Sequence, residues 1–268
     1  MEEEMPAEYL PALAKAATEP GLFKEIYGDL LKPGVSQVGK ALANVMGLGN
    51  TILWPVQLLN ERSKASLEAN MERYREKLSN TSIEDISPVA PEIGVPVAEK
   101  LSYVSDKELS ELYTTLLARA SSKHTQSTVH PSFVNVLNNL SPDEAQILLQ
   151  FQRSGGNNPF IGVRLHENPN GSFNQLVDTH FNLDEETKIV FPQNIQAYAS
   201  NLEGLGLIKI RTDVRLAAHE PYAQLEKEIR ERYKSLTQPP VNQYLTIQQG
   251  KIEITRFGWL FLAAAANS

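Results

Sequence analysis

Apolar residues recur at helical spacing through the first half of the chain and at strand spacing through parts of the second. Leu42, Val45, Met46, Gly49, Ile52, Leu53, Val56 and Leu59 fall on one helical face. Past Glu61 the stripe passes to Leu67, Met71, Tyr74 and Leu78 in a charged amphipathic setting. The spacing predicts two helices over 36–79, broken near Gly47-Leu-Gly-Asn50. Proline punctuates 80–104, where Val95, Ala98 and Leu101 suit a short helix. Ser105-Asp-Lys-Glu108 reads as a capping box, with Leu109, Leu112, Tyr113, Leu116 and Leu117 as the buried face behind it. Phe133, Val134, Leu137 and Leu140 mark a short helix opened by His130-Pro131. Ser141-Pro142-Asp143-Glu144 then places an N-cap, a proline at the first helical position and acids in the first turn. Ala145, Leu148 and Leu149 form that helix's inner face, and Gly155-Gly156 ends it.

From there the period shortens. PFIGVRL (159–165) and TKIVF (187–191) read as strands separated by turn residues such as Asn-Pro-Asn-Gly. A helix is expected from Pro192 to Glu203, a strand over 207–212, a charged helix over 221–236, a two-strand hairpin over 243–255 and an apolar closing helix from Gly258. This predicts a mainly α chain with a smaller α+β part. Its divisions are a weakly structured acidic start (1–32), a helical domain (33–140) and a winged-helix-like domain (141–268) with an inserted strand-containing lobe at 154–191. The inserted lobe and the charged helix 221–236 are the two departures from a plain winged helix.

The run from Ala41 to Asn60 has no charged side chain and is long enough to cross a bilayer as a helix. Its amides Asn44, Asn50, Gln57 and Asn60 would need partners in hydrocarbon, and Gly47, Gly49 and Pro55 weaken a continuous span. The expectation is therefore helices that fold against their own chain in water. Lys32, Lys40, Arg62 and Lys64 flank the run, so docking on an anionic surface upon activation is the form a membrane role would take. Leu53, Trp54, Val56 and Leu59 are the expected contacts with a membrane or a partner.

The 268 residues are 41% hydrophobic, enough for a substantial core. The absence of cysteine excludes disulfides, thiolate metal sites and cysteine nucleophiles and suits a reducing cytoplasm. The acidic start, MEEEMPAEYL, is unlike a secretory signal. The net charge of −7 is uneven: acids dominate the first thirty residues, whereas 207–256 is mildly basic. Nucleic-acid contact is thereby permitted at one end and not demanded.

APEIGVPVAEKLSYVSDKELSELYTTLLARA, HPSFVNVLNNLSPDEAQIL, NLEGLGLI and ITRFGWLFLAA occur in that order and resemble the bacterial abortive infection alpha family. The resemblance covers roughly 30–265 and is most specific over 91–150. It implies a role in phage defence, in which an infected cell stops growing or dies before phage are released. It implies no reaction and no catalytic residue.

Arg119-Ala-Ser-Ser-Lys-His124 has the arginine–histidine spacing of HEPN-type ribonucleases, in which a histidine moves the proton of an RNA 2′-hydroxyl and an arginine steadies the phosphate. Ala120 stands where those motifs carry a polar residue, and Arg119 closes its helix, where a cation favours the dipole in any case. His130 is placed to cap the helix that follows it. His166, His180 and Asp178 fall in different segments without a metal-site spacing, so neither metal nor cofactor is expected. Asp184-Glu185-Glu186 reads as a solvated turn or helix start. For DNA, Lys209, Arg211, Arg215, Lys251 and Arg256 lie on or beside the expected wing strands. The expected recognition helix, QNIQAYASNLEGL, has no cation, so protein binding or intrachain packing is the favoured use of this part.

The leading reading is a cytoplasmic, non-enzymatic defence protein that senses a phage component or engages a host protein. The closing helix suits a homodimer seam or an intrachain core equally. A winged-helix DNA-binding regulator, a HEPN-like ribonuclease and a membrane-associating effector are the alternatives.

Overall fold

The computed structural model describes residues 61–167, 171–237 and 243–266. The expected acidic start, the break near Gly47-Leu-Gly-Asn50 and the contact residues Leu53, Trp54, Val56 and Leu59 lie outside the described residues. The helical body is α1 (Glu61–Leu78), α2 (Pro91–Leu101), α3 (Lys107–Ala120), α4 (Ser132–Asn138) and α5 (Pro142–Arg153). Strands β1 (Asn157–His166) and β2 (Phe173–His180) follow, then α6 (Ile195–Gly204), β3 (Ile208–Arg211), α7 (Glu220–Arg232), the short α8 (Lys234–Thr237), β4 (Tyr244–Ile254) and α9 (Arg256–Ala265). Among the described residues, no helix is long and apolar enough to cross a membrane.

Helix α3 is the centre of the body, because its side chains are buried almost all round. Such a helix has to be covered on several sides, and α1, α2, α5 and α9 pack against it. The expected face, Leu109, Leu112, Tyr113, Leu116 and Leu117, is buried. Its cap differs from the expected box. Asp106 is the N-cap, accepting from the Leu109 N–H at 2.9 Å, because the helix starts one residue later than Ser105-to-Glu108 pairing requires. At α5 the box does form. Ser141 Oγ accepts from the Glu144 N–H, and the Glu144 carboxylate accepts from the Ser141 N–H at 2.7 Å.

Buried polar groups join these helices. Asn70 of α1 donates to Leu101 O and Val104 O at 2.8 and 3.2 Å, holding the end of α2. The Ser121 hydroxyl donates to Leu117 O at 2.8 Å, so the Tyr74 hydroxyl, 2.6 Å away, is the donor in their bond. Burial pushes the Tyr74 phenol up to about 12, against the opposing effect of Ser121. Its folded form thus favours the neutral phenol, a contribution fully present below pH ~10 and lost as pH rises toward 12. Tyr74→Phe is expected to lower stability by about 1 kcal/mol in urea unfolding at pH 7. The wild-type advantage should disappear when the unfolding is repeated above pH ~10.

The four strands form one antiparallel sheet in the order β2-β1-β4-β3. One face of β1 (Ile161, Val163) packs with Val177 against Tyr222, Leu225 and Ile229 of α7. The other face sends Phe160, Ile208, Ile252 and Ile254 into the main core, which runs without interruption from Leu67 of α1 to Ala266 beyond α9. The helical body and the chain beyond residue 140 therefore share one interior. The closing helix contributes to it directly, with Phe133 meeting Phe257 and Phe261 at ring separations of 5.5 and 5.7 Å.

The mainly α chain with a smaller β part is as expected, but three sequence readings change. Residues 243–255 are not a two-strand hairpin: Tyr244–Ile254 is one strand, paired with β1 along ten residues and, on its other edge, with β3 over Lys251–Ile254. Gly250 lies opposite Phe160 within it, and a Cβ there would sit 2.5 Å from the Phe160 ring and from Arg211 O. No tight wing exists here, since α7 and α8 lie between β3 and β4. Segment 154–191, expected as an inserted strand-containing lobe, supplies β1 and β2 to the common sheet. Thr187–Phe191 is not a strand, and Phe173–His180 is the strand that the sequence reading passed over.

Candidate functional site

The first turn of α5 holds two buried carboxylates. One oxygen of Glu144 closes the capping box, and the other accepts from Asn201 Nδ2 of α6 at 2.7 Å. Asp143 reaches further. Its Oδ1 accepts from the Val190 N–H at 2.9 Å, and its Oδ2 accepts from the Phe191 N–H at 2.9 Å and the Tyr198 hydroxyl at 2.8 Å. Burial alone would raise the Asp143 pKa, but the bonds from Val190, Phe191 and Tyr198 outweigh it and hold the carboxyl below its ordinary value. The same helix fixes the segment upstream. Gln150 donates to Asn182 O at 2.8 Å and accepts from the Asp184 N–H at 3.1 Å, while Arg153 donates to Asp184 at 3.0 Å. Asp184-Glu185-Glu186 is indeed a turn, closed by Thr187 donating its N–H to Asp184 Oδ1.

This anchoring explains why Thr187–Phe191 is not a strand: its last two amide donors go to a carboxylate rather than to a ladder. The outcome is an outward display of apolar side chains on fixed backbone. Val190 is 68% exposed and Phe191 53%. Exposed Pro192, Gln193, Asn194, Ala197 and Ser200 continue the surface into α6. No charged residue occurs between Ile189 and Leu202.

The cations expected at a wing are placed differently. The pairing register puts Lys209 and Arg211 of β3 on the same face as Lys251 and Glu253 of β4. Arg211 pairs with Asp213 at 2.7 Å and Glu253 at 3.4 Å, and Lys251 pairs with Glu253 at 2.7 Å. Arg211 holds the Asp213 carboxyl down at about 2, and Lys251 first, with Arg211, holds that of Glu253 below its usual range. Arg215 donates to Gln249 at 2.9 Å on this face. Lys209 is exposed there, and exposed Arg256 opens α9 instead. Two of the five cations are thus already matched by carboxylates, which reduces what a phosphate backbone would gain.

Arg119 lines a groove with Glu76, Lys77, Thr115 and Thr125, and exposed His124 lies 3.0 Å from Asp85. His130 Nδ1 accepts from the Ser132 N–H at 3.1 Å at the start of α4. His166 contacts Thr246 at 2.9 Å, His180 faces Glu228 at 3.4 Å, and the Asp178 N–H donates to Gln196. Burial lowers the His180 pKa, with Glu228 opposing it. Among the described residues, no group of three metal-ligating side chains comes together.

The sequence reading did not single out Val190, Phe191 or Tyr198. Asp143 was read only as a first-turn acid, and nothing local marks partners 47, 48 and 55 residues away.

No curated protein matches the chain. A solved structure, of an uncharacterized protein from the hydrocarbon-degrading marine bacterium Alcanivorax borkumensis SK2, aligns at 16% identity. It covers 54% of this chain and 96% of its own, with a TM-score of 0.32, too low to argue from. A family model described as abortive infection alpha matches residues 66–265, which span α3, the α5 clamp, the whole sheet and α9. The chain belongs to the abortive infection alpha family.

Proposed function

We propose that this chain serves abortive infection by binding a protein partner, of phage or host, through Val190, Phe191 and the outward side of α6, without catalysing a reaction itself. The observation that carries this reading is the pinned loop: two large apolar side chains face solvent from backbone held by a buried carboxylate. Exposing them costs solubility and gains nothing for the fold. Fixing them in advance removes the ordering cost of an interface loop. A surface of aromatic, aliphatic and amide side chains, empty of charge, matches the composition of interface centres. Family membership supports the biological setting.

Val190→Ser combined with Phe191→Ser tests this. Both side chains are exposed, so the melting temperature should stay within about 2 °C of wild type. Truncating a central anchor costs about 2 kcal/mol, roughly a thirty-fold weaker complex, and a plaque assay at matched protein levels should show protection lost. Undiminished protection by the double variant would overturn the assignment.

A further inference from the structure

Strand β2 stops short of the start of β1. Its last partner there is Ile161, opposite His180, so Asn158 and Pro159 are paired only with Ile252 and Lys251 of β4. Beyond β2 the chain turns away to α5, where Gln150 holds it by Asn182 O and the Asp184 N–H. The first turn of α7 closes the far side. These parts enclose a cavity of about 520 Å³, bounded by Asn158, Pro159, Leu183, Glu220, Pro221 and Gln224 among others. A volume of that size holds a small organic molecule. Two polar groups on its wall stand unpaired. Asn158 is only 7% exposed; its Oδ1 accepts from the Ser154 hydroxyl at 2.7 Å, but its Nδ2 meets no acceptor. Buried amide donors are almost always paired, so this one marks a place where an acceptor belongs. Exposed Glu220 makes no hydrogen bond or ion pair among the described residues. Asp184, the other carboxylate on the wall, is instead engaged by Arg153 and Thr187. None of the lining residues is a cation.

We propose that this cavity binds the guanine base of an unphosphorylated nucleoside. The unpaired groups call for a ligand that presents an acceptor to Asn158 and donors to Glu220. A carboxylate accepts from two neighbouring N–H groups at once, one on each oxygen. Guanine carries a carbonyl oxygen directly beside two adjacent N–H donors, on its ring nitrogen and its 2-amino group. Adenine has an amino group where that carbonyl stands, and neither pyrimidine presents a carbonyl followed by two donors. Pro159, Leu183 and Pro221 give the wall its apolar part, against which a flat base packs as extruded bases do in their pockets. A phosphate would find no lining cation to balance it, and Glu220 and Asp184 would repel it. The cavity is distinct from the Val190–Phe191 loop, so the two assignments stand or fall separately.

The test is isothermal titration calorimetry of the full chain with guanosine up to about 1 mM. Guanosine should bind. Inosine, which lacks the 2-amino donor, should bind roughly tenfold more weakly, and adenosine should show no binding. Guanosine monophosphate should bind more weakly than guanosine, the more so at low salt. Glu220→Gln, at an exposed position, should fold as wild type and lose the preference for guanosine over inosine. Asn158→Asp keeps the oxygen that accepts from Ser154 and turns the free donor into an acceptor, so it should weaken guanosine binding at least tenfold. Asn158→Ala should weaken it roughly tenfold and serves if the aspartate variant does not fold. Val190→Ser with Phe191→Ser should bind guanosine unchanged. The site is overturned if wild type does not bind guanosine, or if folded Asn158→Ala and Glu220→Gln both bind it like wild type. Equal affinity for adenosine would overturn the assignment to guanine, and tighter binding of the monophosphate the assignment to an unphosphorylated ligand.

Discussion

Gly258→Ala is expected to lower the unfolding free energy by about 3 kcal/mol or more, a drop of roughly 10 °C in melting temperature for a chain of this size. Gly258 lies in the first turn of α9, where its N–H donates to the cap Thr255 Oγ1 at 2.9 Å. A Cβ there would stand 2.1 Å from Leu207 O and 2.9 Å from Leu207 C and Ile254 Cγ2. The first two atoms are backbone and do not swing aside. Leu207 O is also committed, accepting from the Thr255 N–H at 3.0 Å just before β3. To admit one methyl group, α9 must move off the β3–β4 pair, which disturbs the Ile208–Ile254 pairing and the packing of Phe261 and Leu262. Gly204→Ala is the matched control. It ends α6 with open space where the Cβ would be, so it should be neutral or slightly stabilising. Thermal unfolding of the two variants side by side checks this, and a Gly258→Ala protein melting within 2 °C of wild type would contradict the close approach.

What the sequence revealed and what it hid follow from the range of the interactions. The stripe of α3 and the Ser141 cap are local patterns, written within one or two helical turns, and both stand as read. The hairpin expected over 243–255 is one strand, and its Gly250 shows why: a glycine that ends a strand and one that makes room for a facing ring look alike in one dimension. Only the register that puts Phe160 opposite decides between them. Strand β2 was passed over because it is an edge strand with an exposed start, Phe173-Asn-Gln175, and lacks the apolar alternation of a half-buried strand. Arg211 and Lys251 were legible as cations; Lys251 meets Glu253 within β4, but Arg211 reaches Glu253 only through β3–β4 pairing across a connection that contains α7 and α8. The display of Val190 and Phe191 was hidden for the same reason. TKIVF has the composition of a strand, and a carboxylate 47 residues earlier in the chain takes the hydrogen bonds that would have made it one.

That carboxylate gives the second large effect. Asp143→Asn keeps the size and shape of the side chain but puts an amide N–H₂ where one of two accepting oxygens was, facing either the Val190 N–H or the Phe191 N–H with the Tyr198 hydroxyl. The loss should be about 3 kcal/mol at pH 7, since a charge-assisted bond is replaced by opposed donors in a buried place. Tyr198→Phe, which removes one donor and leaves the carboxylate its two backbone partners, should cost about 1 kcal/mol. The pH dependence has a definite sign. The hydrogen bonds outweigh burial and depress the Asp143 pKa, so its ionised form stabilises the fold above the ordinary aspartate pKa of about 3.9. That contribution is lost as pH falls through the lowered folded value. Wild type and Asp143→Asn should therefore differ most in urea unfolding near neutrality and converge in acid. Equal stability at pH 7 would refute the clamp. If the clamp exists to present Val190 and Phe191, Asp143→Asn should also weaken phage protection at matched protein levels, although no surface residue has changed. A destabilised Asp143→Asn protein that protects as well as wild type would show that Asp143 serves the fold alone and that the display does not depend on a fixed loop.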